Sequence, residues 1–334
     1  MLRGVFSFKF LFCSFSGVLL LCKILTMRKV HLLSGEEPFM IDLAFTLCKE
    51  SFEVSISSEA ISPKYLAKIK EADFTCYGNG WFPEKLSKEI VFVVLGSNVK
   101  DDNPELKRAK ELGLLILSIP EFICHYSENK TRVAVAGTHG KGAILSMISF
   151  VLQKQKFSFD YFLTKQIDSL PNLVKSSSES RVVLIDGDEQ STSNMEKGVC
   201  LEFYRPNIAV LTTVEWPLIE EESTLALYLS IYKRFVGSIA RDGKFIFVND
   251  NQIAPDLTNN VREDITVMGC EAHEVKEEGG FTYLPTRHGD FRIYVPNKHF
   301  LLNLNAALLV CRQLGVKDTN FYQAISDYSL SLQP

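Results

Sequence analysis

The stretch VAVAGTHGKGAILSM, residues 133–147, constrains this chain more than any other. Its small and β-branched residues read as a buried strand, a glycine-flanked turn follows, and the apolar spacing beyond is helical. Glycines at 137 and 140 let the backbone curl so that N–H groups converge, and the helix behind adds the positive end of its dipole. That is the layout of a phosphate-binding loop, with Lys141 placed to reach terminal phosphates. The next residue departs from it. Gly142 stands where such loops carry a Ser or Thr hydroxyl for Mg²⁺. On this local pattern alone, a glycine-rich strand-to-helix turn without a ligand stays open beside the phosphate reading.

A strand–turn–helix unit of this kind belongs to a parallel sheet, and the chain repeats its rhythm. KVHLL (29–33), FEVSIS (52–57), IVFVVLG (90–96) and LLILSI (114–119) read as strands. Between them FMIDLAFTLCKE (39–50), SPKYLAKIKEA (62–72) and NPELKRAKELG (103–113) have helical spacing, with Pro63 inside a helix start and Gly113 as a stop. The polar HYSENKT (125–131) separates this region from a second one. There VAVAG (133–137), RVVLID (181–186), NIAVLTT (207–213) and KFIFVN (244–249) are strands. Helices are expected at about 142–155, 224–240 and 301–315, and FTYLPTRHGDFRIYVP (281–296) is β-rich. The expected fold class is α/β: a Rossmann-like domain over 27–125, a linker at 126–131 and a P-loop-containing domain over 132–334. A length of 334 residues suits two domains.

Composition narrows the function. A net charge of −4 supplies no basic field, which argues against nucleic acid as a partner. The eight cysteines are scattered with no C-x-x-C pair, which fits a reducing cytoplasm rather than disulfides or zinc. Residues 1–26 differ from the rest: FLFCSFSGVLLLC (10–22) follows Arg3 and Lys9 as in a signal peptide, yet is short of the roughly 20 apolar residues of a membrane span. Two readings stand, a hydrophobic leader or a start assigned upstream of Met27. The second is preferred, because an exported nucleotide-loop domain would be parted from its nucleotide. A membrane is not an expected partner.

Several segments together resemble the Mur ligases of peptidoglycan synthesis and recycling, nearest the branches that add L-alanine or a tripeptide to UDP-N-acetylmuramate. They are GNGWFPEKL (78–86), DNPELKRAKELGLLILSIPEF (102–122), RVAVAGTHGKG (132–142), VVLIDGDEQ (182–190), YRPNIAVLTTVEW (204–216) and HFLLNLNAALLVCRQLG (299–315). The resemblance implies an amino-terminal UDP-sugar-binding domain and a central ATPase domain, with ATP and Mg²⁺ as cofactors. It also implies acyl-phosphate chemistry, in which ATP phosphorylates a muramoyl carboxylate and an amine attacks it. Carried over by position, Gly137, Thr138, His139, Gly140, Lys141 and Gly142 form the nucleotide loop, with Lys141 the catalytic residue. His139 is expected to shape the turn, Asn303 to approach the adenine and Asp186 to stand for a metal-binding Glu.

The same carry-over shows departures. Gly142 offers no hydroxyl, Asp186 is a methylene shorter than Glu, and a solvated acidic turn around Asp186, Asp188 and Glu189 is an equal reading. Pro217 and Leu218 fall where the family has Asp-His, and Phe300 replaces an Asn. The glycine turn expected near the UDP diphosphate falls on Gly35-Glu36-Glu37-Pro38, for which a solvated acidic loop is the preferred reading. The chain stops at Pro334, about where the family begins a third domain, so that domain is expected to be absent. A catalytically impaired or inactive relative, a pseudoenzyme that binds nucleotide or acts as a scaffold with a protein partner, is therefore preferred. UDP-N-acetylmuramate derivatives stay among the candidate ligands through the resemblance. The alternatives are an active ATP-dependent UDP-N-acetylmuramate:amino acid or peptide ligase completed by another chain, and a gene fragment.

Overall fold

Parallel strands covered on both faces need apolar residues on both faces, and the first sheet is built from such segments. The computed structural model describes residues 28–34, 37–63, 65, 69, 74–187, 200–214, 222–249, 254–259 and 261–333. In it β1 (Arg28–Leu33), β2 (Phe52–Ser58), β3 (Thr75–Asn79), β4 (Ile90–Leu95) and β5 (Leu115–Ser118) pair in parallel in the order β3-β2-β1-β4-β5. Val30, Leu32, Val93 and Val94 are fully enclosed. Helices α1 (Pro38–Lys49), α2 (Pro104–Leu112) and α3 (Ile119–Tyr126) pack along it. Local chemistry sets α2: Asn103 Oδ1 accepts from the Glu105 and Leu106 amides, Pro104 opens the helix, and Gly113 ends it at φ 68°. The helix expected at 62–72 falls largely outside the described residues, as does the leader at 1–26.

The second sheet contains β6 (Thr131–Ala136), β7 (Asp160–Phe162), β8 (Val174–Lys175), β9 (Val182–Asp186), β10 (Ile208–Leu211), β11 (Lys244–Val248) and β12 (Thr266–Cys270). Their order is β12-β11-β10-β6-β9-β7-β8, parallel except where the short β8 runs against β7. β6 lies at the centre, with Val133, Ala134, Val135 and Ala136 wholly buried. Helices α4 (Lys141–Lys154), α5 (Cys200–Phe203), α6 (Glu222–Gly237) and α7 (Ala254–Thr258) belong to this half. The β-rich patch is an antiparallel sheet of β13 (Lys276–Glu278), β14 (Phe281–Thr286) and β15 (Gly289–Ile293). After it come α8 (Phe300–Gln313) and α9 (Asp318–Ser331), both packed on α4.

Two boundaries differ from the sequence reading. Ile119 opens α3 rather than closing a strand, because Glu121 accepts hydrogen bonds from the Ser118 amide and hydroxyl, both at 2.8 Å, and so fixes a helix start. His125 and Tyr126 then complete α3, and Thr131 already belongs to β6, so the polar connection between the sheets is shorter than HYSENKT. The halves meet along α1 and β8. Asp42 Oδ2 accepts from the Leu173 amide at 2.7 Å, and Thr46 Oγ1 lies 3.3 Å from Val174 O. The Phe162 ring contacts Phe39 and Phe122. Among the described residues no helix is long and apolar enough to cross a membrane.

Candidate functional site

At the carboxyl end of β6 the chain turns through Gly137 (φ 122°), Thr138, His139 and Gly140 (φ 94°) into α4. Both glycines are dictated by their neighbours as well as by backbone angle. A Cβ on Gly137 would stand 2.2 Å from Thr212 Oγ1, and one on Gly140 would stand 2.9 Å from Asn303 Oδ1. The loop is pinned to the chain after β10: Thr213 O accepts from Thr138 N at 3.1 Å, Thr138 Oγ1 at 3.0 Å and His139 N at 3.3 Å. His139 is held in the turn through its backbone amide. The first-turn amides of α4 have no acceptor within the helix, and Gly140 at its N-cap brings no side chain over them. Lys141 Nζ donates to Gly137 O, so the ammonium lies folded across its own loop.

A cleft of about 380 Å³ opens beside this turn, lined by His139, Gly140, Thr213, Asn297, His299 and Asn303. Asn303 reaches it from α8 and is buried; His299 stands at the α8 N-cap without a side-chain bond to its own helix, and Phe300 is in the core. The fold therefore brings together Gly137–Gly142 and Asn303. A cradle that a Cβ at Gly137 or Gly140 would crowd, with a helix start that its N-cap side chain leaves uncovered and an ammonium at its rim, fits nucleotide phosphates.

The same geometry does not fit Mg²⁺ well. Asp186 ends β9 in register with Val135, and the Gly187 amide donates to Val135 O at 2.8 Å, so this carboxylate borders the loop's entry. It is not a solvated acidic turn: only 7% of Asp186 is exposed, and its Oδ2 accepts from the Thr164 hydroxyl and, at 3.3 Å, the Thr164 amide. Burial favours this engagement, since a carboxylate leaving water needs donors. Sequence reasoning missed Thr164; its position just after the apolar residues 161–163 was the available signal. Gly142 supplies no oxygen, although its Cβ would meet nothing nearer than Ile167 Cγ2 at 3.6 Å. Among the described residues no group of three His, Cys, Asp or Glu could hold a metal. Asp188, Glu189, Pro217 and Leu218 lie outside those residues.

At the first sheet, Gly35 and Glu36 lie outside the described residues, and Glu37 corrects the solvated-loop reading. Its Oε1 accepts from the Ser97 amide and from Ser97 Oγ, both at 2.7 Å. Beneath runs a buried polar cluster that the sequence did not reveal. Glu105 Oε2 is 3.0 Å from His31 Nε2 and accepts from the Ser57 hydroxyl, while Oε1 accepts from the Phe82 amide at 2.6 Å. Both Glu105 and His31 are fully buried. Burial alone would raise the Glu105 carboxyl, but His31, Ser57 and the Phe82 N–H together hold it below the ordinary glutamate range.

Comparison with known proteins agrees with this architecture. The model of the Mur ligase middle domain matches residues 135–311. The UDP-N-acetylmuramate–L-alanine ligase of Carboxydothermus hydrogenoformans is 27% identical over 316 residues, covering 91% of this chain and 65% of that protein. Its namesake from an Arthrobacter species is 28% identical over 247 residues, covering 71% of this chain and 51% of that protein. The chain thus spans less than two thirds of the length of these curated relatives. Among solved structures, the UDP-N-acetylmuramate:L-alanyl-gamma-D-glutamyl-meso-diaminopimelate ligase from Neisseria meningitides superposes with a TM-score of 0.77 at 20% identity. That match covers 90% of this chain and 98% of that one. The UDP-N-acetylmuramate-alanine ligase from Thermotoga maritima gives 0.63 at 18% identity, covering 90% and 68%. At these identities the structural likeness is one of fold.

Proposed function

The chain belongs to the Mur ligase family, and from that premise we propose that it is a nucleotide-binding relative acting in peptidoglycan synthesis or recycling, with impaired ligation chemistry. The part up to Tyr126 is its Rossmann-like half and the part from Thr131 its ATP-binding half, joined through 127–130. The first-turn amides of α4 would hold ATP phosphates, and Lys141, which donates to the Gly137 carbonyl, would offer its ammonium to a terminal phosphate oxygen. Asn303 borders the same cleft. When bound, ATP supplies the phosphoryl group that in this family activates a carboxylate toward an amine. The observation that carries the reading is the loop itself: two glycines at positive φ that neighbouring atoms crowd, a helix start without a side-chain cap, and one ammonium folded over the turn.

Impairment rests on the metal side. Gly142 lacks the side-chain oxygen that would steady Mg²⁺, and Thr164 engages one of the two Asp186 oxygens, Oδ2. Residence in the cytoplasm, where ATP is abundant and thiols stay reduced, belongs to the same reading; among the described residues Cys76, Cys124, Cys270 and Cys311 are free thiols. The relatives are named for joining L-alanine to UDP-N-acetylmuramate, and a ligand of that class would here meet Glu37. The retained Thr138–Lys141 turn favours a second reading, an active ligase completed by another chain.

Titration calorimetry of the full chain with a non-hydrolysable ATP analogue, with and without Mg²⁺, tests the proposal. Saturable binding is expected, little changed by the metal and weakened roughly tenfold or more by Lys141→Ala, since hydrogen bonds to charged groups contribute about 1.5–3 kcal/mol. No saturable binding would remove the nucleotide. ATP turnover coupled to joining an amino acid or peptide to UDP-N-acetylmuramate would establish the second reading instead.

A further inference from the structure

The order of the first sheet reverses direction at β1: β2 and β3 extend from one side, β4 and β5 from the other. In such sheets the loops after the two central strands part and leave a ligand crevice at the carboxyl end. Here that crevice has a volume of about 470 Å³, with walls that include Ser34 after β1, Glu59 after β2, Trp81, and Lys100, Asp102 and Asn103 after β4. Glu37 stands beside it, bonded to Ser97, the chain neighbour of Asn98 in its wall. It is the N-cap of α1 yet makes no side-chain bond to its own helix. It crosses instead to the loop after β4, where one oxygen takes both the amide and the hydroxyl of Ser97. Gly96 makes the approach possible, because a Cβ there would stand 2.8 Å from Ser34 Cβ and 2.9 Å from Glu37 Oε1.

Two donors converging on a single anionic oxygen, next to the start of a 12-residue helix, form an anion receptor. The anion in it is covalently part of the chain. We propose that Glu37 is the specificity-determining residue of this crevice: it holds the anion position itself and so excludes phosphate-bearing ligands. The surroundings reinforce it. Glu59, which faces Trp81 Nε1 at 3.4 Å, and Asp102 add negative charge along the walls, against Lys100. A diphosphate must displace one carboxylate and then sit among others. The inference concerns the sheet remote from the glycine loop and stands or falls independently of nucleotide binding there.

Inorganic pyrophosphate and UDP serve as probes, titrated against the full chain in a Lys141→Ala background so that the second-sheet loop does not report. The wild-type residue at 37 should give no saturable binding at millimolar probe, whereas Glu37→Gly should bind both at least tenfold more tightly. Glu37→Gln keeps an acceptor on Ser97 and should gain less than Glu37→Gly. Hydrogen exchange at the Ser97 amide supplies the local readout: slow with Glu37 present, fast in Glu37→Gly, and slow again once pyrophosphate is added. Pyrophosphate binding in the presence of Glu37 that equals that of Glu37→Gly overturns the proposal. So does a folded Glu37→Gly protein, its β1 and β4 amides still protected, that gains no affinity for either probe.

Discussion

Gly142→Ser returns an oxygen to the one loop position that lacks it, at a place where the fold has room. The new Cβ would lie 3.6 Å from Ile167 Cγ2, an ordinary contact, and the backbone there needs no left-handed angle, so no strain offsets the change. Two effects then separate. In the first turn of α4, Ser in place of Gly adds about 0.5 kcal/mol of stability through helix propensity, roughly 1–2 °C in Tm for a chain of this size. The hydroxyl also completes a metal contact that exists only with nucleotide and Mg²⁺ together, and one such ligand should tighten binding by about tenfold, or ~1.4 kcal/mol. Calorimetric titration of an ATP analogue into both proteins, each in Mg²⁺ and in chelator, isolates that coupling. A serine protein that is folded and at least as stable, yet whose affinity responds to Mg²⁺ no more than the parent's, would refute the metal contact.

Gly137→Ala pushes a methyl group to within 2.2 Å of Thr212 Oγ1 at a backbone angle of +122°, so it should destabilise the protein by about 3 kcal/mol in urea denaturation and abolish nucleotide binding. Glu105→Gln leaves His31, Ser57 and the Phe82 amide without their shared carboxylate and should cost about 3 kcal/mol by the same measurement. Because Glu105 titrates lower in the folded than in the unfolded chain, its contribution is present above the ordinary glutamate value of about 4.3 and is lost as pH falls through the folded one. Acid denaturation of Glu105→Gln should therefore show a shallower loss of stability below about pH 4.3 than the parent; an equal slope would deny the low titration of that group.

The parallel sheets were legible because their strands must be apolar on both faces, and KVHLL, VAVAG and NIAVL say so without help from partners. Gly113 and Gly315 likewise announced the helix ends they terminate, at φ 68° and 84°. Helix α3 is less legible although Ser118 and Glu121 stand at capping-box spacing, because Ile119 continues the apolar run of the preceding strand. Residues 318–331, which form α9, carry weak periodicity and gain their helix by packing on α4 and β15. At the site, Gly137 and Gly140 were found from local spacing. Thr164 beside Asp186, Ser97 beside Glu37 and Glu105 beside His31 were not, since each pair is joined across the sheet over a separation no local pattern encodes.

The seam where Asp42 receives the Leu173 amide ties the fate of one half to the other. Pulling the halves apart would strand a carboxylate and a peptide N–H and would expose Phe39, Phe122 and Phe162 to water. Such a junction resists hinging, so heat should melt both sheets in a single calorimetric peak, and a ligand gripping either end should raise the melting point of the whole.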